Sequence, residues 1–263
     1  MGQRERYGPW AVVTGASAGL GEHFARQLAA AGLNLILVAR RAERLEALAG
    51  EIAQGYGVQV QALAMDLCEP GAAEALDRGT AERDVGLLVD NAGFGYMGAM
   101  LDQDPERIGR MIHLNCTVTL MAALQFARRF RTRGRGGIIV SASLAGFQPT
   151  PYMTAYGATK GFDLLFAEGL AEELRGTGVD VLALCPGSTH TEFGEVAGSK
   201  GASSGLGMRP GPVVAEALQA LGRKDVVVTG WANKLVGHLV GRLFPRNFIT
   251  RMSGRAIRRI AGA

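Results

Sequence analysis

Tyr156 and Lys160 stand four residues apart in the stretch SASLAGFQPTPYMTAYGATK, Ser141 to Lys160, in which the lysine is the sole charged residue. If a helix begins near Thr154, that spacing puts phenol and ammonium on one face, within reach of one small pocket. A phenol is a poor acid near neutrality, with an ordinary pKa of about 10. A neighbouring cation favours the phenolate and moves the group toward general acid–base work. A carbonyl that accepts hydride develops a negative oxygen, which needs a proton donor and a second hydrogen-bond donor already in place. Ser143, after a predicted strand, supplies that second donor, and Ser141, on the same strand face, is a lesser candidate. Tyr-x-x-x-Lys alone is also a common surface pair, so its weight depends on the rest of the chain.

TGASAGLG, Thr14 to Gly21, follows the first apolar run and opens a helical pattern, with glycines at 15, 19 and 21. Glycine there allows a sharp turn and lets a diphosphate approach the helix N-terminus, whose unpaired N–H groups favour anions. The G-x-G-x-x-G fingerprint is not met, because Phe24 stands at its third glycine, and no lysine follows to make a G-x-x-x-x-G-K-[ST] loop. A cofactor with a free ribose 2′-hydroxyl is normally held by Asp or Glu about 20 residues beyond such a loop. VARRAER places Arg40 and Arg41 there instead, and guanidinium forks suit a 2′-phosphate. Two arginines at a helix start oppose its dipole unless an anion offsets them, so the expected cofactor is NADP(H) rather than NAD. Asp66 in MDLCEP and Asn91-Ala92-Gly93 in VDNAGFG follow later strands, where small and polar residues let an adenine or ribose lie against backbone; ordinary turn chemistry explains them equally well.

The elements that must position these residues alternate in type. Apolar runs at Trp10, Leu33, Val58, Val85, Gly136, Val179 and Asp225 are separated by segments of helical period, such as Leu45, Leu48 and Ile52 within AERLEALAGEIAQGY. That is the pattern of one α/β, Rossmann-like, doubly wound parallel sheet of seven strands with helices on both faces. Ligands of such sheets sit beyond the strands' carboxyl ends, where the clusters above fall.

Composition agrees with a globular chain: 263 residues, 48% hydrophobic, 20% charged, 38 glycines. Net charge of +4 is too small to argue for nucleic acid, yet it is unevenly placed, with seven cations and no acid after Asp225. Three scattered cysteines suit a reducing cytosol, neither a secretory signal nor a spanning segment is expected, and no metal site is expected from the histidines and cysteines. His113 and His190 are read as packing or surface residues, and Glu192 and Glu195 as solvated.

Taken together, these motifs resemble the short-chain dehydrogenase/reductase family, NADP-preferring type, over about Trp10 to Thr229 and in the family's order. The resemblance implies an active oxidoreductase with a catalytic set of Ser143, Tyr156 and Lys160, completed by Asn115, which would steady the lysine through a water. It implies cofactor contacts from Gly15, Ser17, Gly19, Leu20, Gly21, Arg40, Arg41, Asp66, Leu67, Asn91, Ala92, Gly93, Tyr156 and Lys160. The loop PGSTHTEF adds Pro186, Gly187, Thr189 and Thr191 beside the nicotinamide, and a homodimer or homotetramer is expected. Asp90 departs from the family's N-N-A-G, a change expected to alter one local hydrogen bond and leave catalysis alone.

Phe94, Tyr96, Phe147, Tyr152, Met153 and Phe193 fall in the loops past the fourth to sixth strands and would line an apolar pocket for a lipophilic ketone or secondary alcohol. The glycine- and serine-rich segment from Glu195 reads as a mobile lid. Residues 1–230 form the expected catalytic domain and 231–263 a basic, amphipathic helical extension broken near Pro245, suited to peripheral contact with an anionic membrane, to a neighbouring subunit or to the domain itself. The rival function is a dinucleotide-binding redox sensor without turnover. A sensor has no need of Ser143, Tyr156 and Lys160 together.

Overall fold

Apolar runs buried on both sides build the centre of the molecule. The computed structural model describes residues 2–199, 207–237 and 243–261. Its strands are β1 (Trp10–Thr14), β2 (Asn34–Ala39), β3 (Val60–Ala64), β4 (Val85–Asp90), β5 (Gly136–Ser141), β6 (Val179–Cys185) and β7 (Val226–Val228). All pair in parallel, in the order β3-β2-β1-β4-β5-β6-β7. β1, β4 and β5 are buried along their whole length, as strands covered on both faces must be. β3, at the edge, is half-exposed and tolerates Gln61.

Helices α1 (Gln3–Tyr7), α2 (Gly19–Ala30), α3 (Ala42–Tyr56), α4 (Ala72–Thr80), α5 (Pro105–Ile112), α6 (Thr119–Arg133), α7 (Thr154–Glu173), α8 (Phe193–Val196), α9 (Pro210–Ala220) and α10 (Trp231–Leu235) precede a terminal helix, Arg246–Ala261. Alternate strand residues face opposite layers. Val13, Leu35, Leu37 and Val89 meet Phe24 and Leu28 of α2 and Leu45 and Ile52 of α3. Val12, Ile36, Leu88 and Ile138 meet Phe126 and Phe130 of α6 and Leu164 of α7. The expected α3 stripe is the buried one, and Gly57, at φ 67°, closes that helix in the left-handed conformation that lacks a penalty only for glycine.

Strand order reverses between β1 and β4, so the crevice of the sheet opens at their carboxyl ends. Two features escaped the sequence reading, α1 and the π turn His113–Val118 between α5 and α6, and of the three settings weighed for the tail the terminal helix shows contact with its own domain. That helix buries Ile249, sets Gly254 against Pro151 and donates the Ser253 hydroxyl to Pro149 O at 3.0 Å. Of the expected tail stripe, Leu239 lies outside the described residues, as do Arg242 and the 200–206 part of the expected lid. Among the described residues, no helix is long and apolar enough to cross a membrane, and no three His, Cys, Asp or Glu side chains group to hold a metal.

Candidate active site

The two loops at the switch point are locked together by Thr14. Its hydroxyl accepts from the N–H groups of Asn91 and Ala92, each at 2.9 Å, while Asn91 Nδ2 donates to Thr14 O at 3.1 Å. Gly15, at φ 65°, lies so close that an added Cβ would stand 3.0 Å from Ala92 Cα, which explains a glycine at this position. Gly19 plays the second such part: at φ 56° its open face receives the Thr191 side chain. The loop from Pro186 to Thr191 therefore crosses from β6 to the glycine loop, anchored where Leu144 N–H donates to Pro186 O at 2.9 Å and where Thr189 pairs with Met208.

α2 begins after Ala18, which provides no side-chain cap, so its first-turn N–H groups face the crevice mouth without a side-chain acceptor from that position. This suits a diphosphate. At the end of β2, Arg41 donates from Nε and Nη2 to Ser17 Oγ at 3.2 and 3.1 Å and reaches Glu192 at 3.0 Å, and Arg44 pairs with the other oxygen of Glu192. Arg40 is exposed at the same strand end. The Glu192 carboxyl, expected to be a solvated residue, is thus held below its ordinary range by Arg44 and Arg41. Asp66 accepts from Cys68 N–H at 2.9 Å and pairs with Arg110 at 3.1 Å, whereas Leu67 turns its side chain into the core. Leu20 packs on the α2 side of the core, and Gly21 abuts the Gly15 backbone. The glycine loop, the uncapped helix start and the basic strand end fit a nicotinamide dinucleotide carrying a diphosphate and a further anionic group.

α7 begins at Thr154, so Tyr156 and Lys160 do share a face, and both are buried. Ser143 stands close enough to the Tyr156 phenol to favour its ionised form, and its Oγ accepts from Ala145 N–H at 3.1 Å as the cap of a short 3-10 turn. The Lys160 ammonium lies 5.9 Å from the Tyr156 ring centroid and donates to Ser141 O at 2.7 Å and to Asp163 Oδ2 at 2.8 Å. Ser141 is no second donor to a substrate, since its hydroxyl is spent on Asn91 Oδ1 at 3.2 Å. Gly93 brings the remaining pieces together: a Cβ there would stand 3.0 Å from Asn115 Oδ1 and 3.7 Å from Lys160 Nζ. Asn115, inside the π turn, spends its side chain on Phe94 N–H, Phe94 O and the Thr159 hydroxyl. π turns interrupt the regular ladder and concentrate at functional positions.

Electrostatics correct one expectation. Burial, reinforced by Asp163 and opposed by Lys160 and Ser143, keeps the Tyr156 phenol above its ordinary value rather than drawing it down. The phenol is therefore protonated near neutrality, the state a proton donor requires. Burial alone would push the Lys160 ammonium down, but Asp163, then Tyr156 and Asp90, outweigh it and hold it up. Asp90 is more than a local substitution: its Oδ1 accepts from the Thr14 hydroxyl at 3.2 Å, and burial, with Asp163, pushes its carboxyl up to about 7.

Above Tyr156 lies an apolar cluster of Met111, Met153, Phe94, Tyr96, Phe193 and Ile257, with the Phe193 ring 5.2 Å from that of Tyr156. Four of the six expected lining residues gather here. Phe147, half-buried at the end of the 3-10 turn, packs against the core cluster that includes β5, and Tyr152, at φ 67°, lines with Arg251 and Arg255 of the terminal helix a cleft of about 360 Å³. Ile257 was missed by sequence reading, since nothing in a helical stripe tells which domain surface it covers.

A doubly wound sheet, an anion-ready glycine loop and a Ser-Tyr-Lys centre define an oxidoreductase of the dinucleotide-binding α/β class. The chain belongs to the short chain dehydrogenase family, whose description matches residues 9–202; its members act between CH–OH and C=O. A protein of Collinsella aerofaciens named 7beta-hydroxysteroid dehydrogenase is 35% identical over 239 residues, covering 89% of this chain and 90% of its own. A solved structure reported as "Structural and biochemical insights into 7beta-hydroxysteroid dehydrogenase stereoselectivity" superposes with a TM-score of 0.89 at 33% identity, over 97% of this chain and all of the other. A short-chain dehydrogenase from Sphingobium yanoikuyae, solved in complex with NADPH, gives 0.78 at 37% identity, over 84% of this chain and 86% of the other.

Proposed function

We propose that this protein is an NADP(H)-dependent oxidoreductase that transfers hydride between nicotinamide and a lipophilic ketone or secondary alcohol of steroid-like bulk. The observation that carries the reading is the convergence of Ser143, Tyr156 and Lys160 beneath the apolar cluster of Phe94, Tyr96, Met153, Phe193 and Ile257. The bound nicotinamide supplies or receives the hydride. In the reducing direction Tyr156 gives its phenol proton to the carbonyl oxygen, while Ser143 hydrogen-bonds that oxygen as charge develops. Lys160 offsets the phenolate that remains, and Asn115 anchors the Phe94 loop beside it. Arg41, with Arg40 near it, supports a 2′-phosphate, and the NADPH complex of a relative supports the same choice. Phe162 and Leu165, exposed on α7, support a homodimer or homotetramer. The exposed apolar stripe of the terminal helix, with its arginines, supports reversible contact with an anionic membrane.

The test is turnover by purified protein with NADPH and NADH against a panel of steroid, bulky aliphatic and aromatic ketones. Reduction of rigid polycyclic ketones with NADPH is expected. Turnover limited to small hydrophilic ketones, or an NADH preference, overturns the reading.

A further inference from the structure

Lys160 is enclosed with two carboxyl groups rather than one. Asp163 follows it by one helical turn and is almost fully buried, and their Nζ–Oδ2 distance is 2.8 Å. Asp90, at the end of β4, is buried too, and its charge is felt at Lys160. Asp90 Oδ2 and Asp163 Oδ1 are buried side-chain oxygens without a hydrogen-bond partner among the described residues. An acid at the position of Asp163, within the apolar run GFDLLFA, has no packing purpose.

We propose that Asp163 is a positioning residue for the proton-handling centre: from behind, it fixes the Lys160 ammonium in place and in its charged form, with Asp90 as the second carboxyl of the same enclosed cluster. The inference rests on reading Tyr156 and Lys160 as the proton-handling pair. Two of the three ammonium hydrogens are committed, to Ser141 O at 2.7 Å and to Asp163, which leaves one for the crevice. A buried ammonium without a carboxylate tends to lose its proton, and a neutral amine no longer offsets a phenolate. Asp163 opposes Tyr156 ionisation, so it weakens the phenol as an acid, yet it retains the cation on which the phenolate depends.

The groups facing this cluster are few. α7 contributes Tyr156, Lys160 and Asp163, β4 contributes Asp90, and β1 contributes the Thr14 hydroxyl. The π turn and β6 bring Cys116 and Cys185, thiols pushed up by burial to about 11 and about 12, which stay uncharged through neutrality. Two carboxylates against one ammonium would leave an uncompensated buried charge, so one proton is retained near neutrality. Burial holds both carboxyls above their ordinary range, Asp163 despite the opposing Lys160, and the contacts favour the proton on Asp90, which meets a hydroxyl, over Asp163, which meets the ammonium.

The chain has four lysines, Lys160, Lys200, Lys224 and Lys234, so the side-chain 13Cε resonance of Lys160 can be followed in cofactor-free protein and assigned by its loss in Lys160→Met. In Asp163→Asn that resonance should titrate more than about one pH unit lower than in the wild type, with Asp163→Glu recovering most of the shift. With NADPH and a ketone, kcat should fall about tenfold or more and its alkaline limb move down by a similar shift, with KM for the ketone nearly unchanged. Should Asp163→Asn not fold, Asp90→Asn carries the comparison, because it keeps the ion pair and still lowers the Lys160 midpoint by a smaller amount. A Lys160 resonance that titrates alike in the wild type and in the folded variants overturns the proposal. If the resonance moves while even the wild type reduces no ketone, the positioning stands and the proposed activity fails.

Discussion

At the scale of single residues, Tyr156 and Asp90 make separable demands. Tyr156→Phe removes one hydroxyl from a ring that remains packed on Phe193, so NADPH affinity by fluorescence titration should hold within a few-fold while kcat drops by about a hundredfold to ten-thousandfold. Near-wild-type turnover in that variant would remove the phenol from the chemistry. Asp90 acts on stability through protons. Its carboxyl rises from an ordinary 3.8 to about 7 on folding, so between those values the native state binds more protons than the unfolded state, and stability falls as pH rises through that window. Asp90→Asn keeps an oxygen to accept from Thr14 and removes the titration. Its melting temperature, relative to wild type, should be higher at pH 8 than at pH 5 by about a few degrees, and parallel curves would contradict the buried carboxyl. The sequence made Ser143, Tyr156 and Lys160 visible because their spacing is local to one strand end and one helix. Asp163 stayed hidden although it is local to Lys160, since an i,i+3 acid reads as a surface pair until its burial is known.

At the scale of elements, the strands and long helices were legible because each run is continuous and bounded by turn residues. The loops between them were legible in composition but not in contact. Glu192 illustrates the difference: it sits beyond β6, yet it bridges Arg41 and Arg44 at the start of α3, a pairing across about 150 positions that no periodicity encodes. That bridge places a carboxylate where a 2′-phosphate would be drawn by the same guanidinium groups. Glu192→Gln keeps the side chain's size and removes its charge. NADPH should bind about two- to fivefold tighter, in line with the modest worth of exposed ion pairs, while NADH is unmoved. The check is paired fluorescence titrations at one ionic strength. A weaker NADPH complex would mean that Glu192 closes over the cofactor rather than competing with its phosphate.

At the scale of the whole molecule, the terminal helix has one apolar face on the domain and another that is exposed. Ile249 is buried and Ile257 joins the Tyr156 cluster, so one face packs on the domain beside the proposed pocket. Phe248 and Met252, with Phe244 stacked on Phe248 at 5.3 Å, remain exposed beside Arg251 and Arg255, the surface on which the proposed membrane contact rests. Sequence reading saw the stripes but could not divide them, because docking depends on where residues 149–153 stand in the folded domain. The division gives opposite expectations for two variants. Phe248→Ser with Met252→Ser should abolish co-sedimentation with anionic liposomes at low salt and leave kcat/KM on a soluble ketone unchanged. Ile257→Arg should keep liposome binding and lower kcat/KM by about tenfold or more, since a charge enters an apolar pocket wall. If the wild type stays in the supernatant with anionic liposomes at low salt, the outer stripe faces another copy of the chain or solvent instead, and sedimentation velocity of the serine variant separates those two.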